Sequence, residues 1–238
     1  MRTLLVDGDA YIHKIAWVYQ GVDNVSSDAR KMEESIVSLG DYIEKARLRS
    51  GCDDVIYCLG APSSSYFRKE QYPPYKAQRK DVKRADLVPH LRAWAETQTF
   101  KMKPQLEGDD VLGILQTKMV NTVILSTDKD MLQIPGLHYK NSEMKYVSVE
   151  DADRFFWTQI LTGDTSDGYP GCPGIGAKRA EALLVGITDS AEAWRVIVGA
   201  YEAKGLTEGD ALVQARCARI LRAEDWDFKR DTFKLWGL

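Results

Sequence analysis

Short apolar runs and helical repeats alternate along the first two thirds of the chain. Thr3–Val6, Val55–Leu59 and Thr122–Leu125 have the length and continuity of buried strands. Between them, Lys31–Arg49 carries Met32, Ile36, Leu39, Tyr42, Ile43 and Ala46 at helical spacing and stops at Ser50-Gly51. Asp86–Thr99 and Gly108–Met119 read as two further amphipathic helices. His138–Tyr139 and Lys145–Val149, flanking Asn141-Ser142-Glu143, read as a hairpin. Strands separated by helices predict βαβ units, hence an α/β fold with a mainly parallel central sheet flanked by helices. From about Glu150 the pattern becomes helical. A Gly/Pro-rich segment, 163–176, separates Phe155–Leu161 from Ala177–Leu184. The expected division is an α/β core over 1–150 and a helical region over 151–238 packed on it.

One stretch fits neither pattern. From Pro62 to Arg84 the chain has three consecutive serines, two adjacent prolines and no core-like period. Between Arg68 and Arg84 lie seven basic residues (Arg68, Lys69, Lys76, Arg79, Lys80, Lys83, Arg84) against two acids, a net +5. Tyr66, Phe67, Tyr72 and Tyr75 are interleaved with them. Cationic side chains bind phosphates, and aromatic faces stack on the bases of a single strand, so the stretch suits nucleic acid. A solvated loop of mixed charge is the plain alternative.

Charge alone points the other way. The 238 residues carry a formal net charge of −3, where a basic balance is the usual mark of a nucleic-acid binder. The acids are concentrated, however. Asp7 and Asp9 follow the first strand; Glu107, Asp109 and Asp110 open a helix; Asp128 and Asp130 follow the third strand; Asp164 and Asp167 lie at a helix end. Without these nine the rest of the chain is at +6. In an open parallel sheet, ligands bind beyond the carboxyl ends of the strands, where the first and third groups would converge. Glu107 and Asp110 share a helix face and can aim at one point. Carboxylates crowded together repel unless a cation compensates, and hard oxygen ligands without His or Cys favour Mg²⁺ or Mn²⁺. Two such ions about 4 Å apart can clamp a scissile phosphate. Each group singly is also explained by helix capping or turn chemistry.

A hydrophobic fraction of 44% and a charged fraction of 28% suit a globular chain. No apolar stretch approaches the roughly 20 residues that span a bilayer, and the amino terminus does not read as a signal peptide. Cys52, Cys58, Cys172 and Cys217 have no CxxC spacing, so reduced thiols and a cytoplasmic location are expected. Gly171-Cys-Pro-Gly174-Ile-Gly176-Ala-Lys178-Arg179 opens a helix; its glycines permit close backbone approach to a phosphate, and its cations add contacts. A plain helix connection is the alternative there. Tyr11 and His13 are candidates for stacking on a terminal base, or else core residues.

The order VDGD, FR…YKxxR, EGDD, STDKD, GDxSD and GxPGIGxK resembles the 5′ nucleases: flap endonucleases, the 5′-exonuclease domain of bacterial DNA polymerase I, and bacteriophage 5′→3′ exonucleases. The match runs from about Asp7 to Leu184, and the short chain points to the bacteriophage or stand-alone bacterial branch. The resemblance implies a PIN-like fold with a basic helical arch at about 62–100 and a C-terminal helix–three-turn–helix. It implies two Mg²⁺ (or Mn²⁺) on Asp7, Glu107, Asp109, Asp110, Asp128, Asp130, Asp164 and Asp167. Lys76 and Arg79 would be catalytic, steadying the scissile phosphate. Arg68, Lys80, Lys83, Arg84, Gly171, Gly174, Gly176, Lys178 and Arg179 would bind nucleic acid, with K⁺ at the glycine turn. The implied partners are DNA with 5′ ends, flaps or junctions, and RNA–DNA hybrids, bound by a monomer in the cytoplasm of a bacterial host. One departure stands out: Ala61 occupies the place of a usual aspartate. Either the chain manages without that carboxylate, or it is a DNA-binding form with weakened or lost catalysis. A phosphatase using an aspartyl nucleophile at Asp7-Gly-Asp9 is a further rival, poorly matched by Ala10-Tyr11.

Overall fold

The structure, a computed structural model, describes residues 1–20, 28–81 and 83–237. Its centre is a six-stranded sheet formed by β1 (Thr3–Asp7), β2 (Asp54–Cys58), β3 (Phe100–Lys101), β4 (Thr122–Leu125), β5 (Gly136–Lys140) and β6 (Glu143–Val147). The order is β3-β2-β1-β4-β5-β6, parallel throughout except for the β5–β6 hairpin. β1 is wholly buried, as its unbroken Leu4-Leu5-Val6 run requires in a sheet covered on both faces. It pairs with β2 on one side and β4 on the other, so the strand order reverses at β1. That reversal leaves a crevice beyond the carboxyl ends of β1 and β4, into which the acids that follow each strand project.

Helices α1 (Gly8–Gln20), α2 (Asp28–Arg49) and α4 (Val88–Ala95) cover one face through Ile12, Ile15, Leu39, Ile43 and Leu91. Helix α5 (Gly108–Lys118) covers the other, packing Val111, Leu112 and Ile114 with Leu5, Ile124 and Trp226. A third apolar cluster lies among α6 (Val149–Thr162), α7 (Ala177–Leu184), α8 (Ser190–Glu202) and α9 (Glu208–Ala218). Ser148 caps α6, its hydroxyl accepting from the Asp151 amide at 3.0 Å, which fixes where that helix starts.

The segment expected to form an arch is compact. It holds the short helix α3 (Phe67–Gln71) and 3-10 turns at Ser63–Ser65 and Ala77–Asp81 before α4; no long arch helix is seen among the described residues. Phe67 and Tyr75 are buried rather than presented to bases, Phe67 against Phe233 and Tyr75 within the helical cluster. The tail also departs from the expected all-helical pattern. After α9 it forms a small hairpin, β7 (Trp226–Asp227) and β8 (Thr232–Phe233), which returns to the sheet layer.

Candidate active site

The acidic groups do meet at the carboxyl ends of β1 and β4. Asp7 ends β1 with its side chain 3% exposed, accepting from the Ser126 hydroxyl at 2.6 Å and the Ala10 amide at 3.1 Å. Ser126 links the two strand ends, because its oxygen also accepts from the Asp128 amide at 3.0 Å. Asp128 in turn accepts from the Asp130 amide, and Asp130 from the Gln159 side chain of α6 at 2.7 Å. Glu107 precedes α5, and Asp109 lies in its first turn. Asp164 and Asp167 belong to the turn after α6, where Asp164 accepts from the Ser166 amide and hydroxyl.

Burial without enough compensation marks part of this cluster. The Asp7 carboxyl is pushed up to about 6 by burial and by repulsion from Asp9 and Asp128. Asp130 is likewise pushed up to about 6 by burial and by Asp128 and Asp164. Burial and Asp7 hold Asp109 well above the carboxylate range, and its carboxylate has no hydrogen-bond or ion-pair partner among the described residues. Glu107 behaves oppositely. Burial works against its charge, but Lys76 and Arg68 outweigh that and hold it at about 2. An all-oxygen donor set whose charge is incompletely balanced fits a hard divalent cation. As the side chains stand, no group of three or more His, Cys, Asp or Glu among the described residues is arranged to hold a metal ion.

Part of the reason is Lys76. Its backbone takes φ +53 and its amide donates to the Asp167 carbonyl at 2.7 Å, which turns the side chain into the cluster. The ammonium donates to Glu107 and lies 3.4 Å from Asp167. Arg79 pairs with Asp167 at 2.6 Å, and the Tyr75 hydroxyl lies 2.8 Å from Glu107 and 2.9 Å from Asp167. Both cations expected to face a phosphate therefore stand among the carboxylates. A cleft of about 130 Å³ runs between Glu107, Asp109, Asp128, Asp130 and Asp167. It meets a groove of about 960 Å³ lined by Asp7, Asp9, His13, Ala61, Lys83 and Arg84, among others.

Other expected residues lie elsewhere. Asp110 is fully buried and turned from the cleft; its oxygens accept from Arg68 at 2.6 and 2.7 Å, from the Glu107 amide and from the Leu221 amide. Arg68 is not a surface cation. Its guanidinium also donates to Glu107 at 3.0 Å and to the carbonyls of Cys217 and Arg219, so its donors are engaged inside the protein. Lys83 and Arg84 are exposed on the groove, while the Lys80 side chain lies outside the described residues. Lys178 and Arg179 are exposed at the start of α7, and Gly174 is exposed at φ +74. Gly176 is exposed and caps α7. Gly171 is buried with its amide given to Gln214, and a Cβ there would lie 2.3 Å from the Gly163 nitrogen. Its glycine is required by packing and not by an open approach to phosphate. Tyr11 is buried against Tyr42, so it offers no face to a base; His13 is half-buried in the groove wall.

Sequence reasoning did not single out Arg92, Gln159 or the bridging role of Tyr75. Arg92 sits on α4 and pairs with Asp9 at 2.9 Å, a contact across 83 residues with no local signal. Ser126 was visible in the STDKD run, but its link to Asp7 required knowing that β1 and β4 are neighbours.

Comparison with known proteins gives a consistent picture. Residues 2–156 match the family described as 5′-3′ exonuclease, N-terminal resolvase-like domain. The chain is 28% identical to the exodeoxyribonuclease of Enterobacteria phage T3, over 98% of this chain and 92% of that one. It is 32% identical to the flap endonuclease Xni of Shewanella loihica, over 62% of this chain and 66% of that one. Among solved structures it is similar to bacteriophage T5 flap endonuclease in complex with DNA and metal ions, with a TM-score of 0.65, 15% identity and 91% coverage of each chain. The T5 5′-exonuclease with bound zinc gives a TM-score of 0.63 at 16% identity, covering 92% of this chain and 93% of that one. At such identities the structural likeness shows the fold, a mostly parallel sheet flanked by helices.

Proposed function

The chain belongs to the 5′-3′ exonuclease family, and from that premise we propose that it hydrolyses DNA phosphodiesters at 5′ ends, flaps and junctions with the help of two Mg²⁺ or Mn²⁺ ions. The observation that carries this reading is the meeting of carboxylates from four separate segments beside Lys76 and Arg79, three in the cleft and the fourth, Asp7, in the groove that joins it. Asp7, Glu107, Asp109, Asp128, Asp130, Asp164 and Asp167 would hold the ions; Asp110 is left out because it is fully buried against Arg68 and lines neither the cleft nor the groove. When bound, such ions supply Lewis acidity toward water and the scissile phosphate.

The chain's own side chains do the rest. Lys76 and Arg79 release the carboxylates and turn to the phosphate, where they steady the charge that develops as the phosphorus–oxygen bond breaks. Lys83 and Arg84 on the groove hold the incoming strand by its phosphates, and His13 lies in the same wall. The exposed Lys178, Arg179, Gly174 and Gly176 grip the duplex backbone, with K⁺ bound at this turn. Lys80 adds to the basic strand path. The core over 1–150 carries the chemistry and the region over 151–238 holds the duplex, acting as a monomer. RNA–DNA hybrids are accepted because phosphate contacts do not read the sugar. The roles of Lys83, Arg84, Gly174, Gly176, Lys178 and Arg179 rest on family membership and on their exposure, and that of Lys80 on family membership alone.

Ala61 supports a second reading, a DNA-binding chain with weakened or absent cleavage. A 5′-labelled flap duplex incubated with Mg²⁺ separates the two. Metal-dependent cleavage leaving 5′-phosphate and 3′-hydroxyl ends supports the nuclease. Retained binding with no cleavage at any excess of protein supports the alternative.

A further inference from the structure

Asp9 is the one member of the acidic set that the family resemblance does not place among the metal ligands, and its surroundings are built for it. It enters from the first turn of α1 and points across the end of β2. Its Oδ2 accepts from the Gly60 amide at 2.7 Å and its Oδ1 from Arg92 at 2.9 Å. That Oδ2 lies 3.0 Å from the point where a Cβ on Gly60 would stand, and 3.1 Å from the point where a Cβ on Gly108 would stand. A side chain at either position would crowd the carboxylate, and one at position 60 would also meet the Tyr66 hydroxyl at 2.9 Å. Two glycines thus keep open a niche that Asp9 fills.

The location of the niche gives it a meaning. Gly60 precedes Ala61, the residue that lacks the expected carboxylate, and Gly108 stands between Glu107 and Asp109. Asp9 and Ala61 line the same groove as Asp7, Glu107, Asp109 and Asp128. We infer that Asp9 supplies, from α1, the carboxylate that Ala61 cannot, so that the ion-holding set is complete without an aspartate at position 61. Arg92 is its countercharge while the site holds no ion, and also donates to the Gly60 carbonyl at 2.7 Å, which fixes the niche. The inference rests on the nuclease reading and deepens it.

Calorimetric titration with Ca²⁺ in the absence of DNA tests it without relying on turnover. Asp9→Asn keeps an oxygen for the Gly60 amide but removes the charge, and Ca²⁺ affinity should fall by about tenfold or more. Asp9→Asn combined with Ala61→Asp should recover most of that loss, because the charge returns from the adjoining segment. Arg92→Met should leave the affinity unchanged or raise it. Thermal unfolding of each variant shows that it is folded. Should Asp9→Asn alone not fold, the pair Asp9→Asn/Arg92→Met, which leaves no unpaired charge, carries the same expectation. Unchanged affinity in Asp9→Asn overturns the inference, as does failure of Ala61→Asp to restore it. A loss in Arg92→Met equal to that in Asp9→Asn overturns it too, since Asp9 would then act only as an anchor for α4. If the unaltered chain neither takes up Ca²⁺ nor cuts DNA, the nuclease reading fails as well. If it does both and Asp9→Asn is indifferent, only this inference fails.

Discussion

Replacing Arg68 with methionine should unfold the protein at much lower temperature without making it a poorer DNA binder. The Arg68 side chain is 3% exposed and Asp110 is 0% exposed, and the two meet in a bidentate pair at 2.6 and 2.7 Å. Arg68 also serves Glu107 at 3.0 Å and the carbonyls of Cys217 and Arg219, joining α3, the start of α5 and the end of α9. Methionine fills a similar volume but leaves a buried carboxylate without its cation. Breaking a buried pair from one side costs about 3–5 kcal/mol. For a chain of this length that corresponds to a fall in Tm of about 6–20 °C. Removing both charges with Arg68→Met/Asp110→Leu should recover much of the loss, because no unpaired charge remains. The assay is thermal unfolding of the four proteins, with Ca²⁺ titration of Asp110→Asn alongside. A Tm for Arg68→Met within about 2 °C of the unaltered chain would show that the buried pair does not hold these elements together. So would an Asp110→Asn protein that keeps its Tm and loses ion binding, since Asp110 would then be a metal ligand.

Lys76→Ala should lower single-turnover cleavage of a flap duplex by about 10²-fold or more, with duplex affinity in Ca²⁺ changed only a few-fold; equal losses in both would reduce Lys76 to a positioning contact. The metal-free protein should lose stability as pH rises from about 4 to 6. Asp7 and Asp130 are held up to about 6 in the folded state, so the stability they contribute is complete below the ordinary carboxylate value and vanishes as they ionise. The increase in Tm on adding Mg²⁺ should therefore be larger at about pH 7.5 than at about pH 5, and an equal increase would count against the ion site. Lys178→Ala should weaken duplex binding uniformly across sequences and reduce the log–log salt slope by about 0.9, read by anisotropy at several salt concentrations.

Strands β1, β2 and β4 were legible because they are short apolar runs with sharp ends, whereas β3, two residues long, left no signal. β4 is Thr122–Leu125 as read, bounded by Asn121 at φ +55 and by the polar Ser126-Thr127. The β5–β6 hairpin was found through Asn141-Ser142, which both take positive φ. Convergence of the acids followed from topology alone, since β1 and β4 had to be neighbours for Asp7 and Asp128 to meet. Inside the acidic groups the sequence was less informative. Glu107 and Asp110 do share a face and one target, but the target is the Arg68 guanidinium. Arg68 and Phe67 lie in a stretch whose composition resembles a solvated loop, and their burial depends on partners at 107–110, 217–219 and 233. The hairpin at Trp226–Asp227 and Thr232–Phe233 was missed because its strands are two residues long, too short for any period to register.

The central claim is that the carboxylate cluster holds divalent ions that hydrolyse DNA. Single-turnover cleavage of a 5′-flap duplex, followed as Mg²⁺ is raised from zero, tests it most directly when Asp128→Asn is run beside the unaltered chain. No cleavage without Mg²⁺, saturating cleavage near the junction with it, and loss in Asp128→Asn with DNA binding retained are expected. Cleavage that persists in chelator, or that survives Asp128→Asn undiminished, would contradict it.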